Sequence, residues 1–311
     1  MISIARLDTH QHCMPRFYAE WLQSHGIFSV GGRELPDWSP TAAESFMDNN
    51  GISGAILSIS TPGVHLGSNQ EARDMARRIN DYLAGVAQRQ PRLGFFAVLP
   101  LPDVEGALEE AAYALDTLRA DGVLILANTR GLYFGEPAWE PLMTELNTRQ
   151  AVVFVHPSEL AGGAHPDIPP SSADFLLDTT RAAIRYARSG SLERHPDVRV
   201  VLSHAGGFVP YAAERMAAAC SPDGSNAGGL ARLRRFYFDT ALSGTPYTMP
   251  SLLAFADLQR ITFGSDWPFA NEERASHFIR RLDEVALEPS LRKAIYRDNA
   301  TLLFPRFGAI A

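Results

Sequence analysis

The sequence predicts an α/β protein folded as a single (β/α)8 barrel. Three observations carry that prediction: eight short apolar, β-rich runs recur along the chain, nearly every one is followed by a stretch of helical periodicity, and no Gly-x-Gly-x-x-Gly follows the first run. Such alternation argues a parallel sheet with helical crossovers, and eight is the count that closes a barrel. The missing glycine fingerprint counts against an open dinucleotide-binding sheet.

The first strand is expected over residues 2–7, leading into Asp8-Thr9-His10-Gln11-His12. Strands two to eight follow at residues 52–59, 94–99, 122–126, 151–155, 198–202, 236–239 and 260–264. Helical spacing covers 70–89, 104–119, 137–148, 173–188, 210–219 and 272–285, several with Asp, Ser or Pro near their starts, where helix N-termini favour them. Shorter helices are predicted at 41–49 and 249–255, and a final one over 290–303 packs outside the barrel. Pro/Gly/Ser-rich residues 162–172 and 221–229 are expected to be long loops, the first either covering the mouth of a site or running as a surface excursion. No segment has the character of an interdomain linker, so residues 1–311 are expected to form one domain.

With 46% hydrophobic residues the chain can bury a large core. A net charge of −7 without any Lys/Arg run disfavours nucleic acid and anionic membranes as partners and favours small-molecule chemistry. Cys13 and Cys220 lie far apart, no charged-then-apolar leader precedes the first strand, and no run reaches the roughly 20 apolar residues of a membrane helix. A reduced, cytoplasmic compartment is expected. Lys293 is the only lysine, and its helical setting suits a solvated charge. A Schiff-base lysine or a carboxylated lysine bridging two metals is thereby disfavoured.

Barrel enzymes place reactive groups where strands end. Here the strand ends carry His10 and His12 after the first, His156 after the fifth, His204 after the sixth and Asp266 after the eighth. Side chains two apart on a strand share a face, so His10 and His12 aim at one point. Singly, His156 could just end a strand and Asp266 could cap a helix; together the five converge on one rim. Three imidazoles (His10, His12, His156) and the Asp266 carboxylate suit one divalent ion, zinc first, with manganese, iron or cobalt as alternatives. His204 is cast beside them as an acid/base group. The glycines after it, Gly206 and Gly207, either let backbone pass close to a ligand or shape a tight turn.

These stretches resemble a known family. His10-Gln11-His12, Val155-His156-Pro157, Leu202-Ser203-His204-Ala205-Gly206-Gly207, Phe263-Gly264-Ser265-Asp266-Trp267-Pro268 and Asn299-Ala300-Thr301-Leu302-Leu303-Phe304 resemble the amidohydrolase superfamily, in particular its aminocarboxymuconate-semialdehyde decarboxylase-like branch. Met47-Asp48-Asn49-Asn50-Gly51-Ile52, Leu57-Ser58-Ile59-Ser60, Phe95-Phe96-Ala97-Val98-Leu99-Pro100-Leu101 and Asp178-Thr179-Thr180-Arg181 look most like 6-methylsalicylate decarboxylase relatives. The resemblance implies a TIM barrel of the metal-dependent hydrolase type, non-oxidative decarboxylation of an aromatic or conjugated acid, and a homodimer. It makes His10, His12, His156 and Asp266 the metal set and His204 the acid/base partner.

Loss of carbon dioxide from an aryl acid requires a proton at the ring carbon and an electron-rich ring, which an ortho hydroxyl provides. Asp266, with a raised pKa, is expected to deliver the proton beside His204. In a second decarboxylation route, water activated with His204 adds to the conjugated substrate. Phe17, Trp38, Trp267 and Phe269 are expected as apolar walls, and Arg33 or Arg181 as the carboxylate's partner. The competing activity is hydrolysis of an amide or lactone by the same residues. A binding protein on a degenerate barrel would lack ligands, and none of the five is missing.

Overall fold

The computed structural model describes residues 5–309. Eight parallel strands form one sheet: β1 Arg6–His12, β2 Ile52–Ser58, β3 Leu93–Val98, β4 Gly122–Leu126, β5 Val152–His156, β6 Arg199–Leu202, β7 Tyr237–Asp239 and β8 Ile261–Thr262, hydrogen-bonded in that order. The last strand returns to the first through a parallel bridge between Asp8 and Phe263. There the Thr9 N–H donates to the Phe263 carbonyl at 2.9 Å and the Asp266 N–H to the His10 carbonyl at 2.8 Å, so the predicted (β/α)8 barrel is the fold observed.

β1 continues further than expected, running through His12, so both imidazoles of the motif stand on the strand itself. Residues 2–4 of the predicted strand lie outside the described residues. The strands read as near-continuous apolar runs because both their faces are covered, by the barrel interior and by the helices. Inside, Phe96 stacks on Phe154 with centroids 5.1 Å apart, Phe304 meets Phe96 at 5.8 Å, and His10 meets Phe154 at 4.8 Å. Burying each phenyl ring contributes about 1.5–3 kcal/mol, and the column forms the floor on which His10 rests. Phe304 follows the predicted C-terminal helix, a run of Pro289–Lys293, a wider turn Ala294–Asp298 and Asn299–Leu303. Asn299 ties that run to the barrel, its side-chain amide donating to the Ile261 carbonyl at 2.8 Å.

Two segments differ from expectation. A helix forms over Arg16–Ser24, burying Tyr18 and Leu22, and a short hairpin, Ser29–Val30 with Arg33–Glu34, follows it. Residues 226–233, inside and just beyond the stretch expected as loop, form the helix Asn226–Leu233, capped by the Ser225 hydroxyl. A Cβ on Gly229 would stand 1.8 Å from the Ala217 carbonyl oxygen, so the glycines that lower helix propensity are what let this helix lie against its neighbour Val209–Cys220. No helix among the described residues is long and apolar enough to cross a membrane.

Candidate metal centre

The five predicted residues meet at the C-terminal end of the barrel. His10 Nε2 lies 3.0 Å from His12 Nε2 and 3.2 Å from Asp266 Oδ1. Asp266 Oδ1 is also 3.1 Å from His12 Nε2 and 3.8 Å from His204 Nε2. The donor atoms of His10, His156, His204 and Asp266 all fall within 4.8 Å of one another. His204 thus stands in this group of four where the sequence placed His12, although His12 Nε2 is within contact of two of its members.

The far side of each ring explains the aim of the near side. His10 Nδ1–H donates to Asp239 Oδ2 at 2.7 Å; His12 Nδ1 lies 3.1 Å from the Ser58 hydroxyl and 3.3 Å from the Ser58 carbonyl, and His156 Nδ1 2.9 Å from the Pro157 carbonyl and 3.4 Å from the Ser60 hydroxyl, carbonyls that can accept a ring proton. A proton held on Nδ1 leaves Nε2 as a lone pair. His156 Nε2 is buried without a hydrogen-bond partner among the described residues, the state of a donor whose partner is a cation. Two nitrogens about 2.0–2.1 Å from one ion lie roughly 3.0–3.4 Å apart, which the His10–His12 pair matches. The residues fit a divalent metal.

Backbone geometry supports the same focus. His204, Ala205 and Asp266 adopt left-handed φ of 53°, 55° and 64°, at a cost of order 1–3 kcal/mol each. Hydrogen bonds hold them: Asp239 Oδ1 accepts from His204 N–H at 2.9 Å, and Asp8 Oδ1 accepts from Ser265 N–H at 3.0 Å. The two glycines after His204 serve the turn. A Cβ on Gly206 would meet Phe238 at 2.7 Å, and one on Gly207 the Leu176 carbonyl at 2.2 Å.

Burial opposes charge on His10, but the Asp239 and then the Asp266 carboxylates outweigh it and lift its pKa to about 10. Burial holds His12 low and His156 well below the usual range. Asp266 departs from the raised pKa the sequence suggested. Burial pushes its carboxyl up, but the imidazoles of His10, His12 and His204 prevail and hold it well below the carboxylate range. An entering cation must therefore displace a proton from His10. Apparent Mn2+ affinity is expected to rise about tenfold per pH unit from this proton and to level off near pH 10. Binding isotherms across the neutral range check this, and a pH-independent affinity would contradict it.

A cavity of about 590 Å³ opens above the cluster, reaching His156, His204 and Asp266 but not His10 or His12. Arg33 and Phe269 line it as expected. Phe17 does not: it packs on Tyr82 at 5.6 Å beneath the Arg78 guanidinium, on the new helix Arg16–Ser24. Trp267 stacks on Phe46 at 5.1 Å in the core, because its neighbour Asp266 already takes the inward direction. Trp38 turns toward Tyr82, and Arg181 toward the Tyr133 hydroxyl. The walls are instead Phe175, Leu176, Phe208 and Leu242, with Arg274 at the mouth. Arg274 stands in the first turn of the helix Glu272–Asp283, which Asn271 caps. Arg33 donates to the Phe269 carbonyl at 3.3 Å, and among the described residues neither Arg33 nor Arg274 is paired with a carboxylate. Sequence reasoning also passed over Asp239, although it ends β7 as the other five residues end their strands.

Known proteins share this chain's sequence pattern and fold. The family model described as Amidohydrolase matches residues 7–306. A 6-methylsalicylic acid decarboxylase of Aspergillus aculeatus is 35% identical, the alignment covering 97% of this chain and 96% of that one. A crystal structure described as an amidohydrolase II superposes with a TM-score of 0.91 at 31% identity, covering 97% of this chain and all of the other. A dihydroxybenzoic acid decarboxylase of Polaromonas sp. JS666, solved with manganese and 2-nitroresorcinol, shares the fold at a TM-score of 0.78 and 23% identity, over 97% of each chain. Four buried donors at the open end of an eight-stranded barrel, in a chain matched by the family model almost from end to end, make this protein a member of the amidohydrolase family.

Proposed function

We propose that this protein is a metal-dependent, non-oxidative decarboxylase of an aromatic ortho-hydroxy carboxylic acid of the 6-methylsalicylate type. The observation that carries it is a buried cluster of four donors, with His12 in contact with two of them, opening onto an apolar-walled cavity that also holds two arginines without a carboxylate partner among the described residues, in a chain 35% identical to a 6-methylsalicylic acid decarboxylase. His10, His12, His156 and Asp266 hold one divalent ion and His204 is the acid/base. His10 and His12 lie beneath the cavity floor, whereas His204 faces the cavity, which suits a residue that meets substrate. The nitrogen-rich donor set favours zinc; the manganese in the Polaromonas decarboxylase makes that ion the alternative.

When bound, the metal supplies a positive anchor for the substrate's carboxylate and ortho oxygen. Phe175 and Phe269 confine the flat ring, and Arg33 and Arg274 draw the anion in. His204 passes a proton to Asp266, an uphill transfer because the imidazoles hold that carboxyl well below its usual range, and the strongly acidic carboxyl so formed delivers it to the ring carbon that bears the substrate's carboxyl group. The carbon–carbon bond then breaks, its electron pair restores the aromatic ring, and carbon dioxide departs. The homodimer follows the family resemblance, and the reduced, cytoplasmic setting is supported by two cysteines that are both buried and unpaired.

Incubation with a panel of salicylate-type acids tests the proposal: carbon dioxide and the matching phenol are expected. Ring opening of lactones or amide cleavage without gas would replace it with a hydrolase. Arg33→Ala is expected to raise KM about tenfold, and Arg274→Ala, nearer to solvent, about threefold, with kcat little changed. Initial-rate kinetics check this; unchanged KM in both variants would remove the arginines from substrate binding.

A further inference from the structure

We infer that Asp239 is a positioning residue that serves two functional histidines at once, one carboxylate oxygen setting the ring proton of His10 and the other holding the backbone of His204. This rests on the proposed roles of His10 as ligand and His204 as acid/base. Asp239 ends β7 with its side chain fully buried. Oδ2 accepts from His10 Nδ1–H at 2.7 Å; Oδ1 accepts from the N–H groups of His204 and Ala241, both at 2.9 Å. Both oxygens are thereby engaged by N–H donors, which leaves neither free to face the ion, so Asp239 is not itself a ligand.

The chemistry of the first contact is specific. His12 and His156 are oriented by neutral groups, the hydroxyl and carbonyl of Ser58 and the Pro157 carbonyl with the Ser60 hydroxyl, whereas His10 Nδ1 meets a carboxylate. An ionised carboxylate can only accept, so the proton stays on Nδ1 and the Nε2 lone pair faces the cation, made more basic by the negative charge behind it. The second contact acts on conformation. His204 and Ala205 both sit at left-handed φ, and the Asp239 bond to the His204 N–H holds the start of that turn where the ring overlooks the cavity. One buried side chain thus registers the acid/base against the metal.

Asp239→Asn separates these roles. The amide oxygen can still accept from His204 and Ala241, but the amide NH2 faces His10 Nδ1, which must then become an acceptor and move the ring proton to Nε2, where it blocks ligation. The expected result is a metal-free variant that remains folded, a Mn2+ dissociation constant raised about 10- to 100-fold, and an altered visible spectrum of the Co2+-loaded protein. Mn2+ affinity equal to that of the unsubstituted protein would overturn the inference. If the variant does not fold, 15N-histidine spectra of the Zn2+-loaded unsubstituted protein decide: a slowly exchanging proton on His10 Nδ1 supports the inference, and an unprotonated Nδ1 overturns it. Failure of the unsubstituted protein to take up any divalent ion would instead overturn the proposed function, and the inference with it.

Discussion

His204→Ala is expected to lower kcat by about 10²- to 10⁴-fold while one divalent ion per chain remains bound. The expectation follows from where the ring stands. His204 lines the cavity, as His156 does, and its Nε2 stands 3.8 Å from Asp266 Oδ1, against 3.1 and 3.2 Å for His12 and His10. Its Nδ1 is buried without a partner among the described residues, so no acceptor fixes the ring as carbonyls or carboxylate fix the other three. Removing it takes away the group that hands a proton to Asp266 and leaves His10, His12, His156 and Asp266 to hold the ion. Elemental analysis and steady-state kinetics on the same sample check both halves. Loss of the ion along with activity would move His204 into the ligand set in place of His12.

His156→Ala is expected to empty the site and abolish turnover. His156 is common to both sets of four donors, and its buried Nε2 has no hydrogen-bond partner among the described residues. Loss of a direct ligand should exceed the roughly 100-fold upper range for outer-shell partners, so micromolar Mn2+ or Zn2+ should no longer bind measurably. The ring sits at the end of β5 rather than in the aromatic column below, so the metal-free variant is expected to unfold at nearly the same denaturant concentration as the metal-free parent. A variant that retains the ion would show that the remaining donors suffice without it.

The barrel was legible because parallel strands covered on both faces leave unbroken apolar runs, and the five site residues because each follows or ends such a run. His10 and His12 show the limit of that logic: the strand continues through them, since closure onto Phe263 and Asp266 supplies hydrogen bonds that no local pattern announces. Residues 226–229, the first half of the helix Asn226–Leu233, read as loop because Gly228 and Gly229 disfavour a helix locally, whereas close packing against Ala217 decides the outcome. Phe17 and Trp267 show why aromatic walls resist prediction: proximity in sequence to a ligand says nothing about which side of the backbone a ring takes. Arg274 was hidden for a related reason, because only the start of its helix brings it to the cavity mouth. The charge state of Asp266 depends on three imidazoles that are distant in sequence and therefore appears only in three dimensions.

Anomalous scattering from crystals of the Mn2+- or Zn2+-loaded protein tests the central claim most directly. One peak per chain is predicted among His10 Nε2, His12 Nε2, His156 Nε2 and Asp266 Oδ1, with His204 close by on the cavity side. No peak at that position, or a peak bound by none of these histidines, would contradict the account.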